Sequence, residues 1–307
     1  MPAILNKQPT PKQKEPKMPL LRSLHFVPGI SPKMIEKAFT LHPDALVLDL
    51  EDSVPLAEKE RARELVSAAT EPLAKAGQEV FVRINSLSTG LAEDDLRAVI
   101  SERIVGISLP KPETPEQVQY IAKVIDLLEA ERGLVPGRIR LIPWIETAGA
   151  VTRVFQIASS TPRIIAVAFG AEDFTLDMGM QRSAEGTELI YPRSQVAIAA
   201  RVAGVFALDT PYTDFRDEPG LIEEARLNRR LGFHGKFTIH PLQIEPVNRV
   251  FTPTADEIEQ AARIVKAFEE AQKQGIAATS LDGKMIDTPV FERARRLLSS
   301  LRPAGGK

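Results

Sequence analysis

The sequence predicts an α/β protein: a (β/α)8 (TIM) barrel followed by a C-terminal helical extension. Three observations predict it. Eight short apolar, β-branched runs recur between residues 24 and 240, nearly continuous in hydrophobicity, as strands buried on both faces of a parallel sheet are. Amphipathic stretches of helical length, with capping residues at their ends, separate them. The structural rival, a doubly wound open sheet, lacks its usual marks, since neither a GxGxxG fingerprint nor a P-loop occurs.

Taken in order, the chain opens on residues 1–19, which hold five prolines and four lysines. Proline blocks helices and ladders, and the stretch has little apolar surface to bury, so it reads as a disordered tail. It is too poor in Arg and Ser for a transit peptide. The eight runs are Leu24–Pro28, Ala45–Leu50, Val80–Ile84, Gly106–Leu109, Leu141–Ile145, Ile164–Phe169, Val205–Asp209 and Lys236–His240. Among the intervening helices, 57–77 ends on Gly77 as a C-cap, and 114–133 carries Thr114 as N-cap, Pro115 at the first helical position and Gly133 past the end. Residues 220–233 read the same way. Residues 20–250 therefore make the barrel. The remainder, 251–302, is an appendage, with Thr254 and Glu257 at capping-box positions of one helix, then a Gly-centred turn and a second helix.

Composition narrows the function. The net charge of -2 gives no basic field for nucleic acid. Cysteine is absent, which removes disulfides, thiolate metal sites and cysteine nucleophiles, and fits a reducing, cytoplasmic setting. No apolar run reaches the ~18 residues of a membrane span, and no secretory apolar segment stands at the N-terminus.

The active site of such a barrel lies where strands end and βα-loops begin. The second run ends in Asp49, Glu51 and Asp52, the third in Arg83 and Asn85, and the fourth in Lys111. The fifth ends in Glu146 and Thr147, the sixth in Glu172 and Asp173, the seventh in Asp209 and the eighth in His240. Carboxylates converging without soft ligands suit a hard cation such as Mg2+ or Mn2+, and Arg83 and Lys111 suit an anionic substrate. Plainer roles compete at several positions. Glu51 and Asp52 are placed to cap the helix that follows Pro55, and Asp209 to make a salt bridge within the barrel. His240 suits a strand-end hydrogen bond, Arg193 a bridge between barrel carboxylates, and Trp144 packing.

Nine segments together carry a resemblance: RSLHFVPG (22–29), DALVLDLEDSV (44–54), VRIN (82–85), LPK (109–111), IETAGAV (145–151), FGAEDF (169–174), YPRS (191–194), GFHGKFTIHPLQI (232–244) and LDGKMIDTP (281–289). In order and spacing they resemble the citrate lyase β-subunit family of the HpcH/HpaI aldolase superfamily, over about residues 20–300. One departure is His25, where the family usually carries an aliphatic residue. The resemblance implies that Glu146 and Asp173 ligate Mg2+, that Arg83 binds an oxo-acid carboxylate, and that Glu51 and Asp52 lie beside the metal. It implies that Asp287 enters a neighbouring subunit's site, so that the extension makes a homo-oligomer, commonly a trimer. It places Arg22, Lys33 and Lys37 near the phosphates of coenzyme A. The implied reaction is cleavage of a β-hydroxyacyl-CoA thioester (malyl-, citramalyl- or citryl-CoA) into acetyl-CoA and an oxo-acid. Asp287 would protonate the thioester enolate. The rivals are a citrate lyase β-subunit acting on a carrier-protein thioester, and a metal-dependent oxo-acid aldolase without CoA.

Overall fold

Eight parallel strands close into a barrel in chain order: β1 (Ser23–Pro28), β2 (Ala45–Asp49), β3 (Val80–Arg83), β4 (Gly106–Leu109), β5 (Arg140–Ile145), β6 (Ala166–Phe169), β7 (Phe206–Asp209) and β8 (Gly235–Thr238). The computed structural model describes residues 20–183 and 185–301, so the lysine- and proline-rich stretch 1–19 lies outside the described residues. These residues fall into two compact units, 20–254 and 255–301.

The helices of the barrel unit are α1 (Pro32–Ala38), α2 (Lys59–Lys75), α3 (Ala92–Val99), α4 (Pro115–Glu131), α5 (Ala148–Thr152), α6 (Val154–Ala158), α7 (Ala171–Asp177), α8 (Ile190–Ala203), α9 (Glu218–Leu231) and α10 (Ile244–Phe251). α4 shows how sequence starts them. Thr114 accepts from Gln117 N–H while Gln117 reaches back, and Pro115 opens the helix. α10 packs on β8, β1 and α9 as part of the barrel unit, which runs to Thr254, just before the helix that starts at Ala255, rather than to the expected 250.

Strand alternation sorts the core into two layers. Leu24, Val47, Phe81, Ile142, Trp144, Ala168, Leu208 and Phe237 fill the barrel interior. The residues between them, among them Leu46, Leu48, Val82, Ile107 and Val167, pack outward under the helices. Barrel closure pairs Ser23 with Lys236 and Leu24 with Phe237. Two expected strand ends differ. Ile164 makes only an isolated bridge to Leu141. His240 lies past β8, where its ring accepts from Leu242 N–H at the start of a 3-10 turn.

The C-terminal unit holds α11 (Ala255–Lys273), β9 (Thr279–Leu281), β10 (Lys284–Ile286) and α12 (Thr288–Ser300). Its small core is Phe268, Ile286 and Phe291, with the two phenyl rings stacked at 4.6 Å. The Gly-centred turn is the tip of an antiparallel hairpin, with Asp282 and Gly283 both at positive φ, the signature of an Asp-Gly turn. Among the described residues no helix is long and apolar enough to cross a membrane.

Candidate active site

The site is built at the carboxyl ends of the strands. Asp49 and Arg83 end β2 and β3 in register with each other, on the same inward phase as Val47 and Phe81. They meet as a two-toothed pair, Nε to Oδ1 at 2.7 Å and Nη2 to Oδ2 at 2.8 Å. Asp49 also accepts from Glu51 N–H at 2.9 Å and Ser53 N–H at 3.1 Å, which shapes the β2 loop. Burial would raise its pKa, but Arg83 overrides that and holds it below the usual carboxylate range. Arg83 lies over the Phe26 ring at 4.6 Å. Its remaining nitrogen, Nη1, stands 3.2 Å from Glu51 and 3.0 Å from Asp52.

A second group forms beside it. Glu146 follows β5 and is 3% exposed. It accepts from Lys111 N–H at 2.9 Å. Lys111 adopts φ 51, the left-handed region that costs a side chain of this kind about 1 kcal/mol or more. That turn brings its ammonium to 3.4 Å from Glu51 and 3.3 Å from Asp173. Burial would depress the Lys111 pKa, but Glu51, Asp173 and Glu146 together raise it. Burial pushes Glu51 up to about 7, relieved in part by Arg83. Burial and the charges of Glu51 and Asp173 push Glu146 up to about 8.

Asp173 comes from the first turn of α7, just past Gly170. A Cβ on Gly170 would stand 2.5 Å from Glu146 Cγ, so only glycine leaves room for that carboxylate. Below these charges lies an aromatic floor in which Trp144 and Phe237 are 4.3 Å apart, and Phe26 is 5.3 Å from Phe237. Trp144 is packed there as expected, donates to Ser108 Oγ at 2.7 Å, and faces the site as well. The floor and the charged ring enclose a cavity of about 410 Å³. A roomier depression of about 700 Å³ along α9, from Glu218 to Arg230, has no such converging acids and bases against a buried floor.

The structure brings Glu51, Asp52, Arg83, Glu146 and Asp173 to this mouth, with Asp49 and Lys111, which the strand ends also put forward. Several expectations change. Glu51 and Asp52 do not cap the next helix, since Pro55 and Glu58 precede its turns. Arg22 is not near the mouth. It precedes β1 at the opposite end of the barrel, where Asp44 takes its Nε and Nη2, and Thr252 its Nη1. Lys33 and Lys37 are exposed on α1, the helix that follows β1 from the mouth. Asp287 belongs to the C-terminal unit, where it caps α12 by accepting from Val290 N–H at 3.1 Å. His25 points outward, its ring 2.9 Å from Thr238 Oγ1, and is a packing residue. Asp209 does make a salt bridge, but in the outer layer behind the strands, with Arg193 and Lys236. Arg193 bridges Asp209 and Glu224.

The donor set at the mouth is all oxygen, which suits a hard divalent cation. Among the described residues no three acidic or imidazole groups form a ready cage. A cation that takes one or two carboxylates and fills its other positions with water or substrate oxygen still fits. Glu51 Oε2 is buried and makes no hydrogen bond, although Arg83 Nη1 stands 3.2 Å away, and the raised Glu51 and Glu146 carboxyls mark a crowding of acids that a cation would relieve.

The comparisons agree in kind. The model of the HpcH/HpaI aldolase/citrate lyase family matches residues 22–241. The citrate lyase subunit beta of Escherichia coli strain K12 is 40% identical over 284 residues, 92% of this chain and 94% of that protein. The mitochondrial citramalyl-CoA lyase of Homo sapiens is 34% identical, covering 91% of this chain and 84% of that one. The crystal structure of CitE from Mycobacterium tuberculosis in complex with magnesium, acetoacetate and coenzyme A superposes with a TM-score of 0.74 at 28% identity, over 91% of this chain and 97% of that one. A citrate lyase from Burkholderia xenovorans LB400, 23% identical, shares the fold with a TM-score of 0.82, over 92% and 91% of the two chains.

Proposed function

The chain belongs to the HpcH/HpaI aldolase/citrate lyase family, and from that premise we propose that this lyase is Mg2+-dependent and cleaves a β-hydroxyacyl-CoA thioester into acetyl-CoA and an oxo-acid. The observation that carries the reading is the convergence of Glu146, Asp173 and Glu51 about Lys111, with Arg83 beside them, over one apolar-floored cavity.

Glu146 and Asp173 hold the metal, which supplies Lewis-acid stabilisation to the oxygen that gains charge as the C–C bond breaks. Arg83 binds the substrate carboxylate. Asp49 occupies its Nε–Nη2 edge and fixes the direction of the guanidinium, so the substrate carboxylate meets the Nη1–Nη2 end, in place of the Glu51 and Asp52 contacts to Nη1. Lys111 offsets part of the negative charge of the crowded acids, and the Phe26, Trp144 and Phe237 floor keeps water out from below. Lys33 and Lys37 meet the phosphates of coenzyme A. Asp287, supplied by a neighbouring copy in a homo-oligomer, commonly a trimer in the family, protonates the leaving carbon. An Asp287→Asn variant keeps an amide oxygen for the α12 cap but has no acidic proton to give. It should lose turnover at least ~100-fold with unchanged Mn2+ binding, read by single-turnover kinetics beside a metal titration.

The first test is free acetyl-CoA released from malyl-, citramalyl- and citryl-CoA, with Mg2+ and with chelator. Chelator-sensitive cleavage of one of them supports the reading and identifies the acyl group. The 40% identity to a citrate lyase β-subunit, against 34% to a citramalyl-CoA lyase, favours a second reading, a β-subunit working on a carrier-bound citryl thioester. Cleavage of only the carrier-bound thioester by metal-loaded protein would establish that reading instead.

A further inference from the structure

The helix that carries Asp173 is only seven residues long and has no side-chain cap. Its N-cap position is Gly170, and the close approach of Glu146 there excludes the Ser, Asp or Asn that would otherwise cap it. α7 is therefore held from outside. Ala171 N–H donates to Thr210 Oγ1 at 3.2 Å, and Asp177 accepts from Ala148 N–H at 2.8 Å. The third hold is Arg182. Its Nη1 meets Glu172 Oε1 at 2.6 Å, one residue from Asp173, and its Nη2 meets Glu224 Oε2 on α9 at 2.9 Å.

Glu224 is the edge of a buried cluster. Lys236 donates to Glu224, to Asp209 and to the Thr210 carbonyl, each at 2.6 Å. Arg193 binds Asp209 at 2.9 Å and Glu224 at 3.0 Å. Asp209 and Lys236 are fully buried and Arg193 is 1% exposed. Burying such a balanced cluster brings little net stability, because desolvation offsets most of the attraction. What it does supply is position. Both Thr210 and Arg182 hold α7, and both are anchored in this cluster.

From this geometry we infer that Arg182 is a positioning residue: by tying Glu172 to the buried Asp209, Lys236, Glu224 and Arg193 it sets where the Asp173 carboxylate stands relative to Glu146, and so sets the affinity of that acid pair for a divalent cation. The inference rests on the reading that Glu146 and Asp173 hold the metal.

The test is a titration of the full-length chain with Mn2+ alone, following free Mn2+ by electron paramagnetic resonance, together with thermal melts. No turnover is needed. Arg182→Met should weaken Mn2+ binding about tenfold, the usual scale for a group that orients a ligand from behind. Glu172→Gln, at a side chain that is 60% exposed and cannot unsettle the core, should weaken it in the same direction by less. Arg182→Lys should restore only part of the loss, since Arg182 reaches Glu172 and Glu224 through two separate nitrogens of a rigid fork and lysine offers one nitrogen on a flexible stem. An Mn2+ isotherm unchanged in both Arg182→Met and Glu172→Gln overturns the inference, even if Arg182→Met melts earlier, because Arg182 is then only a brace. Should Arg182→Met not fold, Glu172→Gln decides. Failure of the wild-type chain to bind Mn2+ is a different result, which removes the metal reading itself and this inference with it.

Discussion

Gly170 and Glu146 cannot vary independently, because the carboxylate of one fills the space a Cβ would need on the other. Gly170→Ala should leave the thermal melt within a few degrees of the parent yet cut turnover about 100-fold, the usual consequence of a misplacement near 1 Å. Comparing melts with initial rates checks it, and full activity would mean that Glu146 is not where the chemistry happens. His25 governs a different property. Burial, with smaller contributions from His240 and Lys37, lowers its pKa from 6.5 to about 4, so the unfolded chain takes up the proton first. Its contribution to stability is complete above pH 6.5 and drains away as the pH falls from 6.5 towards 4, by roughly 2–3 kcal/mol. Urea midpoints at pH 7 and pH 4.5 should diverge less in His25→Leu than in the parent. Legibility at this scale followed strand phase. Glu51, Asp52, Arg83, Glu146 and Asp173 were readable because each stands at or just past a strand end. The Asp49 grip on Arg83 was not, because its register across two strands is a tertiary fact. Arg182 was invisible for the same reason, since its partner Glu224 lies 42 residues further on.

The elements that sequence disclosed best are those with a chemical mark at each end. Thr114 and Gln117 close a capping box at α4, and Thr114→Ala should lose about 1 kcal/mol while leaving activity untouched. Chemical denaturation and a rate assay on one preparation would show it, and a loss of activity without a loss of stability would contradict it. Strands β1 to β8 were legible because burial on both faces leaves continuous apolar runs. β9 and β10 were not, since three residues each are too few to show a period, and only their Asp-Gly tip was visible. The structural division falls at 254/255, four residues past the expected limit, because α10 runs on to Phe251 and the next helix starts only at Ala255.

For the molecule as a whole, metal and fold are linked. If Mg2+ binds the acids at the mouth in the native state alone, a hundredfold excess over its dissociation constant adds about 2.7 kcal/mol to stability. The melting temperature should then rise with added Mg2+ and return with chelator, whereas a melt indifferent to both would remove the metal from the mouth. The order of the strands carries another consequence, in time. β1 has one neighbour early, β2, but its other neighbour is β8, and Ser23 pairs with Lys236 across 213 residues of chain. At synthesis rates of roughly 5–20 residues per second, β1 waits about 10–40 s on the ribosome with one edge open. Lys236 arrives with the strand that ends the wait. The buried cluster behind α7 therefore assembles only as the barrel shuts, and the brace on the helix of Asp173 is among the last parts of the barrel a nascent chain completes.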